Sequence, residues 1–551
     1  MAEPTTRTQS TPRAREAEVA AAVDAGDLTS AIAMAKAALA EGLEVPLFYN
    51  LAAHEEETCG RLPEAMALLG KAWKLAPRDT LIINAMGANL MKQAKAGDAV
   101  RLHDIAIAID PVMPQAFYHK GQALASLSRL DDAREAYERA IVLWPDYADA
   151  HAGLAWTAQR QGKAQEAVEL AMRALELDSG QDGAELVLAE VQNDRGESAQ
   201  AQARVETILG RKELAAEIRP RALSLKGDAL ARQGRAAEAF SAYVAANDEL
   251  AQIYAPRFTG EGATNVLDMV ESLIAYFGRA DNAQWAEAPP APTPRDGDAA
   301  GHVFFVGFPR SGTTLLENVL GSHPKIATLD EREVLIDASR ELFADPATLE
   351  RLAHLDDATA DRWRADYWEK ARAYRPDLAG KIFIDKMPLN TVILGLIAKL
   401  FPGAKVLFAV RDPRDVVLSC FRRLFGMNPA TFQLLTLDGA ARYYDAVMRL
   451  ATIYRDLLPL PVHVVRYEGL VADLKAEVEA VCAFIGVDWD DSMWDFAEHS
   501  RARPIRTPSA KQVRRGLYAD GVDQWKPYTE QLAPVLPLLA PWIEKFGYAA
   551  D

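Results

Sequence analysis

Only three cysteines occur in 551 residues, Cys59, Cys420 and Cys482, and no two of them form a CxxC pair. An odd, scattered set builds neither a disulfide framework nor a structural zinc site and points to a reducing compartment. No run of eighteen uninterrupted apolar residues is present, and the first residues, MAEPTTRTQSTPRAREAE, carry basic side chains with no apolar segment behind them. Neither a membrane span nor a secretory signal is therefore expected, and the expected location is cytoplasmic. HExxH, EF-hand and Cys/His clusters are missing, and HEEET at 54–58 lacks its second histidine, so no metal is expected. Positive charge is also short: 61 basic against 78 acidic side chains leave −17, which argues against general nucleic-acid binding. What is there is globular, half apolar and a quarter charged. At roughly 150 residues per domain the length fits about three to four units, or fewer with a repeat array.

A repeat array is present. Pro77, Pro111 and Pro145 are 34 residues apart, and the next step reaches Ser179 in a similar helix-ending context. Ala38, Ala72, Ala106, Ala140 and Ala174 follow the same ruler, as do Ala31, Ala65, Ala99, Ala133, Ala167 and Ala201. Ala53, Gly87, Gly121, Ala155 and Ala189 form a third register. Small side chains where two helices cross let their backbones approach, and a proline after the second helix stops it by removing an N–H. The segment 221–247 repeats the pattern with Gly227, Ala239 and Ala246 a few residues out of phase, after a longer connection around GRKELAAEIRP. Period and registers resemble the tetratricopeptide repeat family over roughly residues 14–250. The resemblance implies stacked helical hairpins that bind a peptide or protein; a dimerisation or spacer role is the alternative.

Residues 286–300, AEAPPAPTPRDGDAA, read as a linker. Strand-like runs follow at HVFFVGF (302–308), KIFID (381–385), AKVLFAV (404–410) and PVHVVRY (461–467), separated by helical stretches. That alternation predicts a parallel α/β sheet with ligands at the carboxyl ends of its strands. The expected division is a disordered N-terminus at 1–13, a helical solenoid at 14–285, the linker at 286–300 and an α/β domain at 301–551.

The first run leads into Pro309-Arg310-Ser311-Gly312-Thr313-Thr314. Gly312 permits a tight turn, the next helix presents free N–H groups, and Arg310, Ser311, Thr313 and Thr314 add donors, so the loop suits an anion. The glycine-lysine step of nucleotide triphosphatases is missing. An arginine at a helix N-terminus opposes the helix dipole unless an anion is bound there. PRSGTTLLENVLGSHP (309–324) resembles the 5′-phosphosulfate loop of sulfotransferases, closer to the tyrosylprotein and Golgi type than to the cytosolic type. VRDPRDVVLSCFRRL (410–424) is similar to the family's 3′-phosphate segment, with Arg411 at a strand end and Ser419 in the next helix. VRRGLYADGVDQWKPY (513–528) resembles the family's Arg-Lys-Gly and Trp-Lys tail with an altered middle, which implies cofactor contacts from Arg514, Arg515 and Gly516. The implied architecture is multidomain: an all-α tetratricopeptide solenoid followed by an α/β P-loop-like sulfotransferase domain with a parallel sheet.

The resemblance implies 3′-phosphoadenosine 5′-phosphosulfate (PAPS) as co-substrate and no metal. Its several negative charges match the basic run 501–516, which has Arg501, Arg503, Arg506, Lys511, Arg514 and Arg515 and no acid between them. Aligning the shared arginine and His-Pro pair puts the family's general base at Glu331, between Asp330 and Glu333; N-capping of a helix is the alternative role. Lys386 matches a family lysine on the bridging and leaving oxygens, and Arg310 joins it in catalysis. His323, beside Pro324, reads as structural. Trp363, Tyr367, Trp368 and Tyr374, in the helical segment 337–380, read as core.

The resemblance thus implies sulfation of an acceptor hydroxyl, with tyrosine on a recruited peptide or protein as the leading acceptor. A carbohydrate or small-molecule acceptor, with repeats used for assembly, and a non-catalytic scaffold stay open, as does a homodimer. Residues 301–551 hold 31 basic and 34 acidic side chains against 30 and 44 in the first 300, so the acidity belongs mainly to the repeats. A basic partner is the complementary expectation.

Overall fold

The computed structural model describes residues 11–212, 214–260, 265–279, 282–289, 298–498 and 521–549. Helical hairpins fill the first part. First helices of successive hairpins begin at Pro46, Thr80, Pro114, Ala148 and Asp182, 34 residues apart, and the next begins 36 residues later at Ile218. The out-of-phase segment is therefore one more hairpin, set back by the longer connection before it. All the alanines of the three registers are at most 2% exposed. An added Cβ would lie 2.5 Å from His103 at Gly87, 2.7 Å from Tyr137 at Gly121 and 2.4 Å from Tyr243 at Gly227. The small-residue register thus leaves room for one aromatic ring of the second helix, and filling it overpacks by about 1–3 kcal/mol.

Packing divides the chain at Val191 and Gln192 rather than at the proline-rich segment. Within the second unit, helices Ile218–Arg232, Ala236–Phe258 and Val266–Phe277 precede the sheet. Val270, Leu273, Phe277 and Trp285 belong to the same core as the sheet residues Phe304 and Val406. The Phe277 ring meets Tyr454 edge-on at 4.9 Å and Trp285 at 4.8 Å. Asn247 Nδ2 donates to Phe421 O at 2.9 Å, and Phe240 stacks on the Phe421 ring at 5.1 Å.

Five parallel strands follow: β1 (Gly301–Gly307), β2 (Ile326–Asp330), β3 (Ile382–Lys386), β4 (Lys405–Val410) and β5 (Val462–Arg466), in the order β2-β3-β1-β4-β5. Both faces are covered. Phe304, Val306, Phe383 and Val406 enter one core and Val303, Phe305, Ile384 and Leu407 the other, which explains why the strands read as unbroken apolar runs. Four strands were expected; β2 is additional, and Glu331 follows it directly. The chain leaves β1 toward β2 and leaves β4 toward β5 on the opposite side. The crevice between the carboxyl ends of β1 and β4 is thus the switch point where α/β sheets bind ligands.

Candidate active site

β1 ends in a loop with two left-handed residues within three positions, Arg310 at φ +71° and Gly312 at φ +93°. Such a curl turns successive amides to one side, and helix Thr313–Gly321 adds its N-terminal amides and dipole. Ser311, Thr313 and Thr314 are buried beside it. Thr391 Oγ1 accepts from Gly307 N at 2.9 Å and fastens the end of β1 to the turn after β3. A Cβ on Gly312 would come 2.5 Å from Tyr467 Cδ2, so only glycine lets the loop pass this ring.

The loop after β4 closes the other side of the crevice. Arg411 Nη1 donates to Arg310 O at 3.0 Å, and Arg310 Nε donates to Ser419 Oγ at 3.0 Å. The Arg411 guanidinium lies 4.8 Å from the Tyr467 ring centre, and its Nη2 donates to Gly521 O. Its Nε is buried without a hydrogen-bond partner among the described residues. Ser419 stands on helix Pro413–Phe421, buried along its whole length and capped by Asp412, which accepts from Arg414 N at 2.9 Å. Asp415 accepts from Trp525 N at 2.9 Å and ties that helix to the C-terminal segment. Burial pushes Asp415 up to about 6, partly offset by Arg411.

β2 and β3 bring the second group together. Asp330 and Lys386 are register partners at the ends of these strands, and Glu331 N donates to Lys386 O at 2.9 Å. Lys386 is fully buried; its Nζ donates to Glu331 Oε1 at 2.8 Å and pairs with Asp330. Burial works against the ammonium, but Asp330, Glu331 and Glu317 outweigh it and raise the Lys386 pKa. Glu331 has φ +44°, unusual for a side-chain-bearing residue, and is one-third exposed, so its carboxylate is held by Lys386 yet open to solvent. Glu317, on the loop helix, is buried and accepts from Thr328 Oγ1 and from Asn318 Nδ2 at 3.0 Å.

On the opposite face of β3, buried Asp385 accepts from Tyr367 Oη at 3.0 Å, and Tyr367 Oη lies 2.8 Å from His302 Nε2. Burial pushes Asp385 up to about 7, with Tyr367 and Lys386 pulling the other way, and pushes His302 down to about 3.

Arg310, Ser311, Gly312, Thr313 and Thr314 are thus joined to Arg411 and Ser419 across one crevice, while Glu331 and Lys386 form a second group at the ends of the neighbouring strands. Arg514, Arg515 and Gly516 lie outside the described residues. The motifs do not single out Tyr467, Asp415 or Glu317, and Asp330 enters them only as the neighbour of Glu331. His323 has the expected structural setting: Nε2 lies 3.1 Å from Asp488 O, and Nδ1 accepts from Lys325 N at 3.0 Å. Trp363 and Tyr367 are buried in the core, whereas Tyr374 is 49% exposed. Among the described residues no cluster of His, Cys, Asp and Glu is arranged to hold a metal, and no helix is long and apolar enough to cross a membrane.

Residues 302–491 match the model of the sulfotransferase family, and residues 112–179 match that of the tetratricopeptide repeat. The chain is similar to an uncharacterized protein of Aquifex aeolicus (strain VF5), 28% identical over 259 residues, which are 44% of this chain and 33% of that protein. It is also similar to protein-tyrosine sulfotransferase 1 of Danio rerio, 27% identical over 265 residues, 45% of this chain and 72% of that one. The chain therefore spans only a third of the length of the first of these relatives. Among solved structures, a tetratricopeptide repeat protein from Parabacteroides merdae ATCC 43184 is 19% identical with a TM-score of 0.35, covering 43% of this chain and 93% of its own.

Proposed function

We propose, from the sulfotransferase match of residues 302–491, that the second unit moves a sulfuryl group from PAPS to an acceptor hydroxyl. The observation that carries the reading is the pair of arginine-bearing loops locked together at the β1–β4 crevice, Arg310 on Ser419 and Arg411 on Arg310 O. The residues fit a multiply charged anion. The crevice has two guanidinium groups, a left-handed loop at a helix N-terminus, the four hydroxyls of Ser311, Thr313, Thr314 and Ser419, and a buried Arg411 Nε still lacking a partner among the described residues.

In this reading Arg310, Ser311, Gly312, Thr313 and Thr314 hold the 5′ end of the donor. Arg411 and Ser419 hold its 3′-phosphate, and Arg514, Arg515 and Gly516, which lie outside the described residues, add further donor contacts. The donor supplies an activated sulfuryl group and a phosphate leaving group. Arg310 and Lys386 stabilise the charge that develops as that phosphate departs, and Glu331 takes the acceptor proton at its carboxylate. The 2.8 Å bond from Lys386 orients Glu331, and its one-third exposure leaves it reachable by an acceptor. The buried helix 413–421 keeps Ser419 and Arg411 in register, so part of the positioning is complete before substrates arrive.

The acceptor is a hydroxyl on a peptide or protein recruited by the repeats, and tyrosine is its side chain. The similarity to a protein named as a protein-tyrosine sulfotransferase supports this assignment, and the acidity of the first 300 residues supports a basic partner. A cytoplasmic setting accords with Cys59, Cys420 and Cys482 all being free thiols. The test is incubation with sulfur-labelled PAPS and a host lysate, followed by separation of protein, glycan and small-molecule fractions. Label on protein tyrosine supports the full reading, and label confined to glycan or small molecules overturns the peptide acceptor. No transfer, together with no calorimetric binding of 3′,5′-phosphoadenosine phosphate (PAP), overturns the enzyme.

A further inference from the structure

We propose that the second unit also carries a separate binding site for a small anionic amphiphile, an alkyl or aryl-alkyl chain ending in one carboxylate. The site is a cavity of about 280 Å³ between the β4–β5 half of the sheet and the helices Leu437–Leu457 and Leu536–Lys545. Its walls include Val406 and Phe408 of β4, Val462 and Val464 of β5, and Met448 and Ala451 of the first helix. None of the residues assigned to the donor or the reaction lines it. β5 is an edge strand, and Val464 is 43% exposed, so the cavity reaches the surface.

Size and lining set the tail. An apolar cavity of about 150 Å³ stays dry and accepts benzene, and this one has nearly twice that volume. Its walls offer water few polar partners, so an apolar chain is the favoured filling.

Charge sets the head. Three cations line the same cavity, Arg455, Arg466 and Lys545. Lys545 Nζ donates to Thr452 Oγ1 at 2.8 Å, and Arg466 Nη1 donates to Phe546 O at 2.8 Å. Among the described residues no carboxylate is within ion-pair distance of Lys545 or Arg466, and Arg455 has only its neighbour Asp456, at 3.5 Å. Burial, and then the like charge of Arg455, lower the Lys545 pKa, while Asp456 raises it. Three cations with one carboxylate among them leave a positive excess beside an apolar wall. One anionic head on an apolar tail satisfies both at once; a neutral chain satisfies only the wall, and a cationic one is repelled.

The probes are sodium decanoate, 1-decanol and decyltrimethylammonium, titrated calorimetrically into the full chain at low salt. Decanoate is expected to bind saturably at one site, decanol more weakly, and decyltrimethylammonium without saturation. Lys545→Glu changes an exposed side chain, and Ala451→Phe fills the cavity. Each is expected to weaken decanoate about tenfold or more while leaving PAP binding intact, which also reports that the variant is folded. Should Ala451→Phe fail to fold, Lys545→Glu decides alone. No saturable decanoate binding overturns the proposal. So does equal binding of the cationic probe, or an unchanged decanoate affinity in Lys545→Glu.

Discussion

Replacing Gly312 by alanine tests the anion loop at its tightest point. Two penalties coincide there. A Cβ in the left-handed region costs about 1–2 kcal/mol, and Gly312 has φ +93°. The same Cβ would stand 2.5 Å from Tyr467 Cδ2. Tyr467 has little freedom to yield, since Arg411 lies over its ring at 4.8 Å and a Cβ position on Gly521 is only 2.0 Å from its hydroxyl. Overpacking of this kind costs about 1–3 kcal/mol. Allowing for relaxation, a combined loss of about 2 kcal/mol at the loop weakens PAP binding about 30-fold. Calorimetric affinity is the assay, with Tyr467→Ala and the double variant closing a cycle. Removing the ring relieves the clash but not the backbone strain, so the two substitutions should couple by about 1 kcal/mol or more. Wild-type affinity in Gly312→Ala, or additivity in the cycle, would refute the reasoning.

Arg310→Lys keeps the charge but loses the Nε donor to Ser419, so PAP affinity should fall about tenfold or more by calorimetry; Ser419→Ala, losing one hydrogen bond, should cost about fivefold. Asp385 has its folded pKa raised to about 7 from 3.8. The native state therefore binds its proton more tightly than the unfolded chain, and this group withdraws stability as pH rises from about 4 to 7, by on the order of 4 kcal/mol at most. Urea unfolding at pH 4.5 and 7.5 should show that Asp385→Asn removes this slope and is relatively more stable at the higher pH; an unchanged slope would contradict the assignment. Deletion up to Val191 should leave a folded unit that binds PAP and sulfates a small phenol while losing activity on the native acceptor. Deletion up to residue 285 strips Val270, Leu273, Phe277 and Trp285 from the sheet's core and should abolish the cooperative melt.

The repeats were legible because one physical requirement, a small residue at every helix crossing, is imposed again at each period. Gly87, Gly121 and Gly227 each face a ring that a Cβ would strike. The polar loop after β1 stands out in the sequence because Arg310, Ser311, Gly312, Thr313 and Thr314 are consecutive in the chain. Strand β2 was not: five residues, IATLD, give too short a run to stand out from the loop around them. Tyr467 escaped for a different reason. It is one aromatic among sixteen tyrosines, and only the fold sets it between Gly312, Arg411 and Gly521. The linker 286–300 has the composition of a hinge, yet Trp285 just before it is fully buried, because composition records chain stiffness and not which core a neighbouring side chain enters.

The most direct measurement is the rate of label transfer from sulfur-labelled PAPS to an acceptor protein by the wild type and by Glu331→Gln, with PAP affinity measured on both. The account predicts transfer by the wild type, and in Glu331→Gln a rate at least about a hundredfold lower with near-wild-type PAP binding, since a positioned general base contributes about 10²–10⁴. Full-rate transfer by Glu331→Gln, or no transfer by a wild type that melts cooperatively, would contradict it.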